Sequence, residues 1–266
     1  MPYYKTQGII LKRNDFYEAD RIFTIYTRDF GKIQARGRGV KKSTSKLAGH
    51  LEPFLISDLM IARGKNFDQI AGSAISRNFL NLRFSWALGQ KFLALFCLEL
   101  TDELTKFGHP DKRIFELLED IFETLDSKFS VQNDDNLSTY QSTNLIALTK
   151  IFALKLLTLL GYKPELYSCV SCKEKIKPQG NSFDFIEGGL VCSKCRQGDK
   201  ERIPISDDSI KVLRLVTKRN LKDFLKIKAQ EDLFKEINKI IDLYLKTYLD
   251  RPLKTLEFLE KMDVNT

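Results

Sequence analysis

Two Cys-x-x-Cys pairs place the tightest constraint on how this chain can fold. Cys169 and Cys172 form the first pair, Cys192 and Cys195 form the second, and 19 residues separate Cys172 from Cys192. Each pair can hold two thiolates on one side of a tight turn, and the spacing is typical of structural zinc sites. Four sulfur ligands leave no coordination position for water. The four cysteines therefore predict one structural Zn²⁺ ion rather than a catalytic one.

The alternative for these cysteines is a disulfide pair or a redox motif. A redox Cys-x-x-Cys occurs singly and close to a β-α-β pattern, which this region lacks. The segment between the pairs favours zinc, because residues 181–185 and 190–191 look like two short strands around the turn Glu187-Gly188-Gly189. Such a hairpin would return the second pair to the first. Residues 167–198 are therefore predicted to form a zinc ribbon inserted into the surrounding structure.

The charge of the chain is concentrated in its first third. The whole chain of 266 residues carries a net charge of +8. Residues 1–80 alone hold 14 Lys and Arg against 7 Asp and Glu, a balance of 14 − 7 = +7. Such asymmetry predicts a polyanionic partner for this part of the chain, most simply nucleic acid. An anionic membrane is disfavoured, because no basic amphipathic helix is apparent in the sequence.

The apolar segments predict a soluble intracellular protein. The first residues contain no charged-then-apolar leader, and the most apolar run, residues 145–160, is interrupted by Lys150 and Lys155. A reducing compartment would keep the thiols available as metal ligands. The remaining cysteine, Cys97, lies on an apolar helical face and is predicted to be a buried thiol.

Residues 1–80 are predicted to form a small closed β-barrel. Segments 3–12, 21–27, 32–37, 53–62 and 67–76 are rich in β-branched and aromatic residues and are separated by glycine-containing turns. Five short strands in this length favour an OB-fold, whose surface binds single strands. The number of strands alone leaves an SH3-like barrel as the structural alternative.

A basic loop connects the third and fourth predicted strands. This loop, residues 36–46, holds five basic residues, no acidic residue and two glycines. We interpret it as a mobile loop that lays cations along a phosphate backbone, although a solvated loop without a ligand has the same composition. Tyr26, Phe30 and Phe67 are candidates either for base stacking or for the barrel core. The predicted nucleic-acid contacts are Lys32, Arg36, Arg38, Lys41, Lys42 and Lys46.

The rest of the chain has helical periodicity. Apolar residues recur at every third or fourth position in segments 84–100, 111–125, 206–218 and 231–249. Segment 145–160 is apolar on nearly every face, which predicts a central helix buried on most sides, and 127–143 is predicted to be a polar loop. The helices on either side of the ribbon are predicted to form one bundle. The expected fold is therefore an α+β multidomain protein with domains at 1–80 (OB barrel), 81–166 (helical), 167–198 (four-cysteine zinc ribbon) and 199–266 (helical, with the C-terminal tail).

The first domain resembles the start of the bacterial RecO family of recombination mediators. The similar segments are G-I-I-L-K at 8–12, Y-E-A-D-R at 17–21, T-R-D-F-G-K at 27–32, and the end of the basic loop with L-E-P-F at 51–54. The ordered set of segments is specific, although no single one is a catalytic motif. The four-cysteine ribbon within a helical region is similar to the zinc-bearing branch of the family.

This resemblance implies a DNA-binding role in recombinational repair. It implies binding of single- and double-stranded DNA, annealing of complementary strands, and help in loading RecA onto DNA covered by single-strand-binding protein. It also implies RecR and the acidic tail of single-strand-binding protein as partners, and a cytoplasmic location at the bacterial nucleoid.

No enzyme motif is apparent in the sequence, so we expect no catalytic residues. It contains no Walker-type phosphate loop, no G-x-G-x-x-G after a strand, no H-E-x-x-H and no H-x-E of a zinc deaminase. Two other functions remain as alternatives. One is an RNA-binding or ribosome-associated factor built on the same barrel and ribbon. The other is a metal-dependent hydrolase that uses the four-cysteine site.

Overall fold

The chain folds into two compact units. The computed structural model describes residues 2–84, 88–129, 139–196, 202–224 and 231–255. The first unit comprises Met1–Val131 and Leu253–Thr266, and the second comprises Gln132–Pro252. The chain therefore leaves the first unit, builds the second, and returns to the first.

The first unit contains the predicted five-stranded barrel. Its strands are β1 (Tyr3–Phe16), β2 (Asp20–Thr27), β3 (Gly31–Gly37), β4 (Leu55–Ala62) and β5 (Asp68–Asn78). They close in the order β1-β2-β3-β5-β4, with β1 antiparallel to β4 and β3 parallel to β5. This Greek-key order is that of an OB-type barrel, which the number of strands alone could not separate from an SH3-like barrel.

The barrel closes around an apolar core. β-Bulges interrupt the ladders between Ile10 and Lys12 and at two places between β4 and β5. Bulges increase local twist and bend, which lets long strands coil into a ring of only five. The strands β1 to β5 and the segment between β3 and β4 contribute the buried core side chains, which are Ile10, Phe23, Ile25, Ala35, Val40, Leu51, Leu59, Ile61 and Ile70.

The first unit also contains the helices α1 (Leu80–Phe84), α2 (Leu88–Leu104) and α3 (Lys112–Phe129). The barrel residues Phe54 and Phe79 pack edge-on against Phe122 of α3 at 5.6 and 5.5 Å. Tyr26 donates a hydrogen bond to the backbone oxygen of Asp111, and burial raises its pKa to about 12. Helices α2 and α3 therefore belong to the same compact unit as the barrel, whereas their residues were grouped from sequence with segment 81–166.

The second unit combines helices with a small sheet. Its elements are α4 (Thr139–Leu159), β6 (Ser182–Asp184), β7 (Gly189–Val191), β8 (Arg202–Pro204), α5 (Asp207–Lys218), α6 (Leu221–Phe224) and α7 (Glu231–Lys246). Lys150 of α4 is buried and pairs with Asp242 of α7 at 2.5 Å, which satisfies its charge inside the bundle. The Ser206 side chain caps α5, because it accepts a hydrogen bond from the Ser209 N–H.

Several elements differ from the sequence predictions. Helix α3 extends to Phe129 and α4 begins at Thr139, so residues 127–129 and 139–143 of the predicted polar loop are helical, while residues 130–138 lie outside the described residues. Four short elements among the described residues were not predicted: α1, α6, a 3₁₀ turn at Ala48–His50, and β8, which adds a third strand to the ribbon hairpin. Cys97 is fully buried, as predicted. Within the described residues, no helix has the length and apolar character needed to cross a membrane.

Gly31 provides a test of how the barrel meets the helices of its own unit. Its φ is +67°, and a Cβ atom there would lie 2.3 Å from the backbone oxygen of His109. Gly39 has a similar φ of +65°, but its nearest side-chain neighbour would be 3.8 Å away. We expect Gly39→Ala to lower the free energy of unfolding by about 1 kcal/mol through backbone strain alone. Gly31→Ala should cost at least about 2 kcal/mol more, because backbone must move.

Urea unfolding of both variants measures this difference. Equal losses of stability in the two variants would contradict the close approach of the barrel to the segment around His109.

Candidate nucleic-acid interface and metal centre

The four cysteines of the ribbon converge on one point. The sulfurs of Cys169, Cys172, Cys192 and Cys195 all lie within 4.8 Å of one another. The Cys172 and Cys192 sulfurs are 3.8 Å apart. Tetrahedral ligands at a metal–sulfur distance of about 2.3 Å require sulfur–sulfur separations of this size. The four residues are therefore positioned to hold a metal ion.

Backbone hydrogen bonds shape the two Cys-x-x-Cys turns. In the first turn, Lys173 N–H donates to the Cys169 oxygen at 2.9 Å, and Lys173 adopts a positive φ of 64°. In the second turn, Cys195 N–H donates to the Cys192 oxygen at 3.0 Å. The Cys192 N–H also donates to the Cys169 sulfur at 3.4 Å, which ties one turn to the other. The local chain thus places the ligands through its own hydrogen bonds.

The ionisation of the thiols fits a cation at their centre. Burial opposes ionisation of Cys169, but backbone N–H groups of Cys172, Cys192 and Ser171 outweigh it and lower its pKa to about 6. Hydrogen bonds with the sulfurs of Cys172 and Cys192, and then burial, raise the pKa of Cys195 to about 12. Four neighbouring thiols cannot all lose their protons unless a positive charge lies between them. The donor set therefore fits a divalent, thiophilic metal ion.

The predicted hairpin carries the second cysteine pair. Strands β6 and β7 pair from Ser182↔Val191 to Asp184↔Gly189, and the turn between them contains Gly188 at φ +70°. Asp184 stabilises this turn, because its carboxylate accepts hydrogen bonds from the N–H groups of Ile186 and Glu187. Arg202 of β8 pairs with the same carboxylate at 2.9 Å and also donates to the Cys195 oxygen. The third strand thus supports the metal turn directly.

The basic loop is fixed to the barrel at its first half. Val40 is buried in the barrel core, and Lys41 N–H donates to the Ala19 oxygen at 3.0 Å. Asp20 accepts a hydrogen bond from Gly39 N–H at 2.7 Å, and this bond, opposed by burial and aided by Arg36, lowers the pKa of its carboxyl. The loop was expected to be mobile. The structure instead shows residues 36–41 held by a core side chain and a carboxylate.

Two of the predicted contact residues are paired with acids of the barrel. Arg36 donates to Asp20 through Nε at 2.6 Å. Lys41 pairs with Asp15 at 2.8 Å, and Arg21 pairs with the same carboxylate at 3.0 Å. These hydrogen bonds, from Lys41 first and Arg21 second, lower the pKa of Asp15. A phosphate would have to compete with these carboxylates for Arg36 and Lys41.

Lys32 is directed into the first unit. The residue is 6% exposed, and its ammonium donates to the backbone oxygen of Asp102 and pairs with the Asp102 carboxylate at 3.4 Å. It also lies 4.7 Å from the centre of the Phe107 ring. The sequence pattern placed Lys32 with the other cations because it could not show this burial. Its position gives it a packing role, so we remove it from the set of candidate contacts.

Four cations of the basic loop are exposed, and one of them, Lys41, is paired with Asp15; the other three are Arg38, Lys42 and Lys46. Within the part of the chain that the structure describes, none of the three forms an ion pair. Their charges therefore remain available to an external anion. Of the six basic residues predicted from sequence, these three are both exposed and without an ion pair among the described residues.

The aromatic candidates separate by burial. Tyr26 is fully buried in the first unit, and Phe30 packs against Tyr4 with ring centres 4.5 Å apart. Phe67 is 40% exposed and contacts Phe16 at the mouth of the barrel, with ring centres 5.7 Å apart. The structure adds Tyr17, which sequence analysis missed, in the turn between β1 and β2. Its position in a turn of an OB-type barrel, shortly before the strand Asp20–Thr27, was the available signal.

A closed five-stranded barrel of this topology, with exposed cations in one of its loops, is typical of oligonucleotide-binding proteins. Two family models match the chain: one described as Recombination protein O N terminal matches residues 1–79, and one described as Recombination protein O C terminal matches residues 91–257. The chain belongs to the RecO family.

Curated relatives match over nearly their whole length. A DNA repair protein RecO of Dehalococcoides mccartyi is 33% identical over 259 residues, which cover 97% of this chain and 96% of the relative. The protein of the same name from Bacillus velezensis is 30% identical, and the match covers 97% of this chain and 94% of the relative. The one from Desulforamulus reducens is 28% identical over 268 residues. The family resemblance of the first 80 residues is therefore confirmed for the chain as a whole.

The metal centre predicts a loss of stability when one ligand is removed. Cys169→Ser should abolish binding of one metal ion per chain and lower the melting temperature, because metal binding is coupled to folding of the ribbon. Metal analysis and thermal unfolding measure the two effects. Cys97→Ala serves as the matched control, since it removes a buried thiol outside the cluster. An unchanged melting temperature in Cys169→Ser would contradict a structural metal.

Replacement of Lys32 should lower the stability of the protein without changing its affinity for DNA. Replacing it with alanine leaves the Asp102 carboxylate, whose side chain is 14% exposed, without its partner. We expect the free energy of unfolding to fall by about 3 kcal/mol. The affinity for DNA, measured at a temperature where the variant is folded, should remain that of the wild type. A stable variant with weakened binding would return Lys32 to the interface.

Proposed function

We propose that this chain is a non-catalytic DNA-binding recombination mediator. It binds single- and double-stranded DNA, anneals complementary strands, and helps to load RecA onto DNA covered by single-strand-binding protein. Membership of the RecO family supports a role in DNA repair and recombination. The observation that carries the DNA-binding part is the set of exposed cations Arg38, Lys42 and Lys46 on an OB-type barrel.

Annealing follows from the kind of contact that these cations make. Lysine and arginine side chains bind phosphate oxygens, and such contacts carry no sequence information. They reduce the repulsion between two phosphate backbones and leave the base edges free to pair. The chemistry requires no nucleotide hydrolysis, and two complementary strands supply the free energy of the reaction themselves.

The proposed metal is one structural Zn²⁺ ion. A donor set of four thiolates suits zinc, and the alternative for such sites is an iron–sulfur centre. Four sulfur ligands leave no position for an activated water, which argues against the hydrolase alternative. In this proposal the ion stabilises the ribbon of the second unit and takes no part in a reaction.

The proposed partners are DNA, RecR and the acidic tail of single-strand-binding protein, with RecA acting indirectly. The relatives carry names that refer to DNA repair, which favours DNA over the RNA-binding alternative. An acidic tail would complement a chain with a net charge of +8.

A triple variant tests the DNA contacts. Arg38→Ala, Lys42→Ala and Lys46→Ala together should weaken binding to single strands and make its salt dependence shallower. Each phosphate contact contributes about 0.7 to the slope of log affinity against log salt for single strands, so three contacts should remove about 2. The same variant should slow the annealing of complementary oligonucleotides in the absence of nucleotide.

The matched control removes three exposed lysines from α7 of the second unit. Lys235→Ala, Lys239→Ala and Lys246→Ala change the net charge by the same amount on a helix face. The control variant could lose as much affinity and as much salt dependence as the basic-loop variant. The effect would then come from net charge alone, which would contradict the proposed contacts. Failure of the wild type to bind or anneal DNA at any salt concentration would overturn the proposed function itself.

A further inference from the structure

We propose, on the basis of the DNA-binding function above, that Tyr17 and Phe67 form a stacking platform for unpaired bases. The basic loop contacts phosphates, which single strands and duplexes share. The platform contacts base faces, which only an unpaired strand exposes. It would therefore give this barrel a preference for single-stranded DNA that its cations cannot supply.

The barrel topology brings the two turns together at one end. The β1–β2 turn holds Tyr17, and the turn before β5 ends at Phe67. The parallel pairing of β3 with β5 at Ala35↔Asp68 places the start of β5 beside the end of β3. The same part of β3 pairs with the start of β2, at Arg21↔Gly37 and Ile22↔Arg36. The start of β2, which follows the first turn, and the start of β5, which follows the second, are thus both paired with the end of β3.

Phe16 joins the two exposed rings into one aromatic cluster. Its ring centre lies 4.3 Å from that of Tyr17 and 5.7 Å from that of Phe67, in both cases in tilted or edge-on arrangements. Gly64 permits the tight turn before Phe67, because a Cβ atom at this position would lie 1.9 Å from the Phe67 oxygen. Phe16 is partly buried and supports the cluster, whereas Tyr17 and Phe67 provide its exposed surface.

Arg36 fixes the cluster from the barrel side. Its guanidinium carbon lies 5.4 Å from the centre of the Phe16 ring and 5.3 Å from that of the Tyr17 ring. These distances are within the range of cation–π attraction. Asp20 holds the guanidinium through Arg36 Nε, so the cation that supports the rings is itself held in place. The aromatic cluster is therefore arranged before any ligand arrives.

Burial does not explain why a tyrosine occupies position 17. The residue is 72% exposed, so its ring gains little from burial. Its φ is +53°, in the left-handed region where a tyrosine costs about 1 kcal/mol and a glycine would cost nothing. A strained, exposed aromatic side chain held beside a second one points to a ligand that stacks on rings.

The basic loop lies beside this cluster. Lys41 N–H donates to the oxygen of Ala19, within the β1–β2 turn, and Lys41 Nζ pairs with Asp15, next to Phe16. A strand whose phosphates contact Arg38 and Lys42 therefore passes close to the exposed rings. Stacking tolerates every base, because all four have an aromatic face. Base-independent binding of single strands follows from this combination.

The test compares three ligands of the same length: single-stranded DNA, an abasic strand with the same phosphates, and duplex DNA. The double variant Tyr17→Ala, Phe67→Ala should bind the single strand at least about 10-fold more weakly, given the contribution of one or two stacked bases. Its affinity for the abasic strand and the duplex should change by less than about 2-fold, and the salt slope should remain that of the wild type.

Two further variants separate the ring from its surroundings. Tyr17→Phe keeps the ring and should bind like the wild type. Tyr162→Ala removes a half-exposed aromatic side chain of the second unit and should also leave affinity unchanged. The Tyr17→Trp variant keeps an aromatic ring and reports base stacking by fluorescence, so it tests the platform even if the double variant is unstable. Its added fluorescence should be quenched by single-stranded DNA and not by the abasic strand.

The outcomes separate this inference from the function on which it rests. The double variant could bind single strands as tightly as the wild type while the basic-loop variant loses affinity as expected. This result would overturn the platform and leave the DNA-binding function standing. It would also leave the exposed rings as a surface for a protein partner. Equal losses for all three ligands would overturn the platform too, because stacking cannot weaken the abasic strand. A wild-type chain that binds none of the ligands would remove both.

Discussion

The Asp20 carboxylate organises the candidate interface. It lies at the start of β2, almost fully buried, and it holds both the Gly39 N–H of the basic loop and the guanidinium of Arg36. Charge-assisted bonds of this kind are stronger than neutral ones. They keep the pKa of Asp20 low, so the stabilisation is complete above the pKa of an unfolded aspartate, about 3.9, and is lost as the pH falls through the lower folded value. At neutral pH this ionised side chain thus helps to hold both the loop and the aromatic cluster.

Ion pairs with carboxylates divide the cations of the first unit into those that hold its structure and those that can bind a ligand. The first 80 residues have an excess of seven positive charges, but Arg36 and Lys41 are held by Asp20 and Asp15, and Lys32 is held by Asp102. Net charge therefore attracts a polyanion to this part of the molecule without indicating how many phosphates it contacts. The paired cations position the loop and the aromatic rings, and the exposed cations remain for the ligand. A basic surface of this kind has fewer cations free to contact phosphates than its composition suggests.

The features that could be predicted from the sequence are those formed by residues close together in the chain. The cysteine pairs, the Gly188 turn and the strand segments each depend on residues a few positions apart, and the structure places all of them as expected. The pairing of Lys41 with Asp15 and the burial of Lys32 depend on strand register and on a helix 70 residues away, which periodicity does not encode. Tyr17 was missed because its positive φ makes an aromatic residue unexpected in a turn. Strand β8 was missed because it pairs with β6, which is not its neighbour in sequence, so no hairpin turn precedes it.

The metal centre and the candidate DNA interface belong to different compact units of the chain. The first unit ends at Val131 and resumes at Leu253, where Glu99 of α2 accepts hydrogen bonds from the N–H groups of Lys254 and Thr255. The returning segment is thus fastened to the unit that holds the barrel. The ribbon interrupts the second unit in turn, between α4 and α5. A metal ion bound by the cysteines would stabilise the ribbon of the second unit, whereas the proposed phosphate and base contacts all involve residues of the first unit. A structural ion and a basic barrel in one chain are therefore compatible with a DNA-binding function in which the metal performs no chemistry.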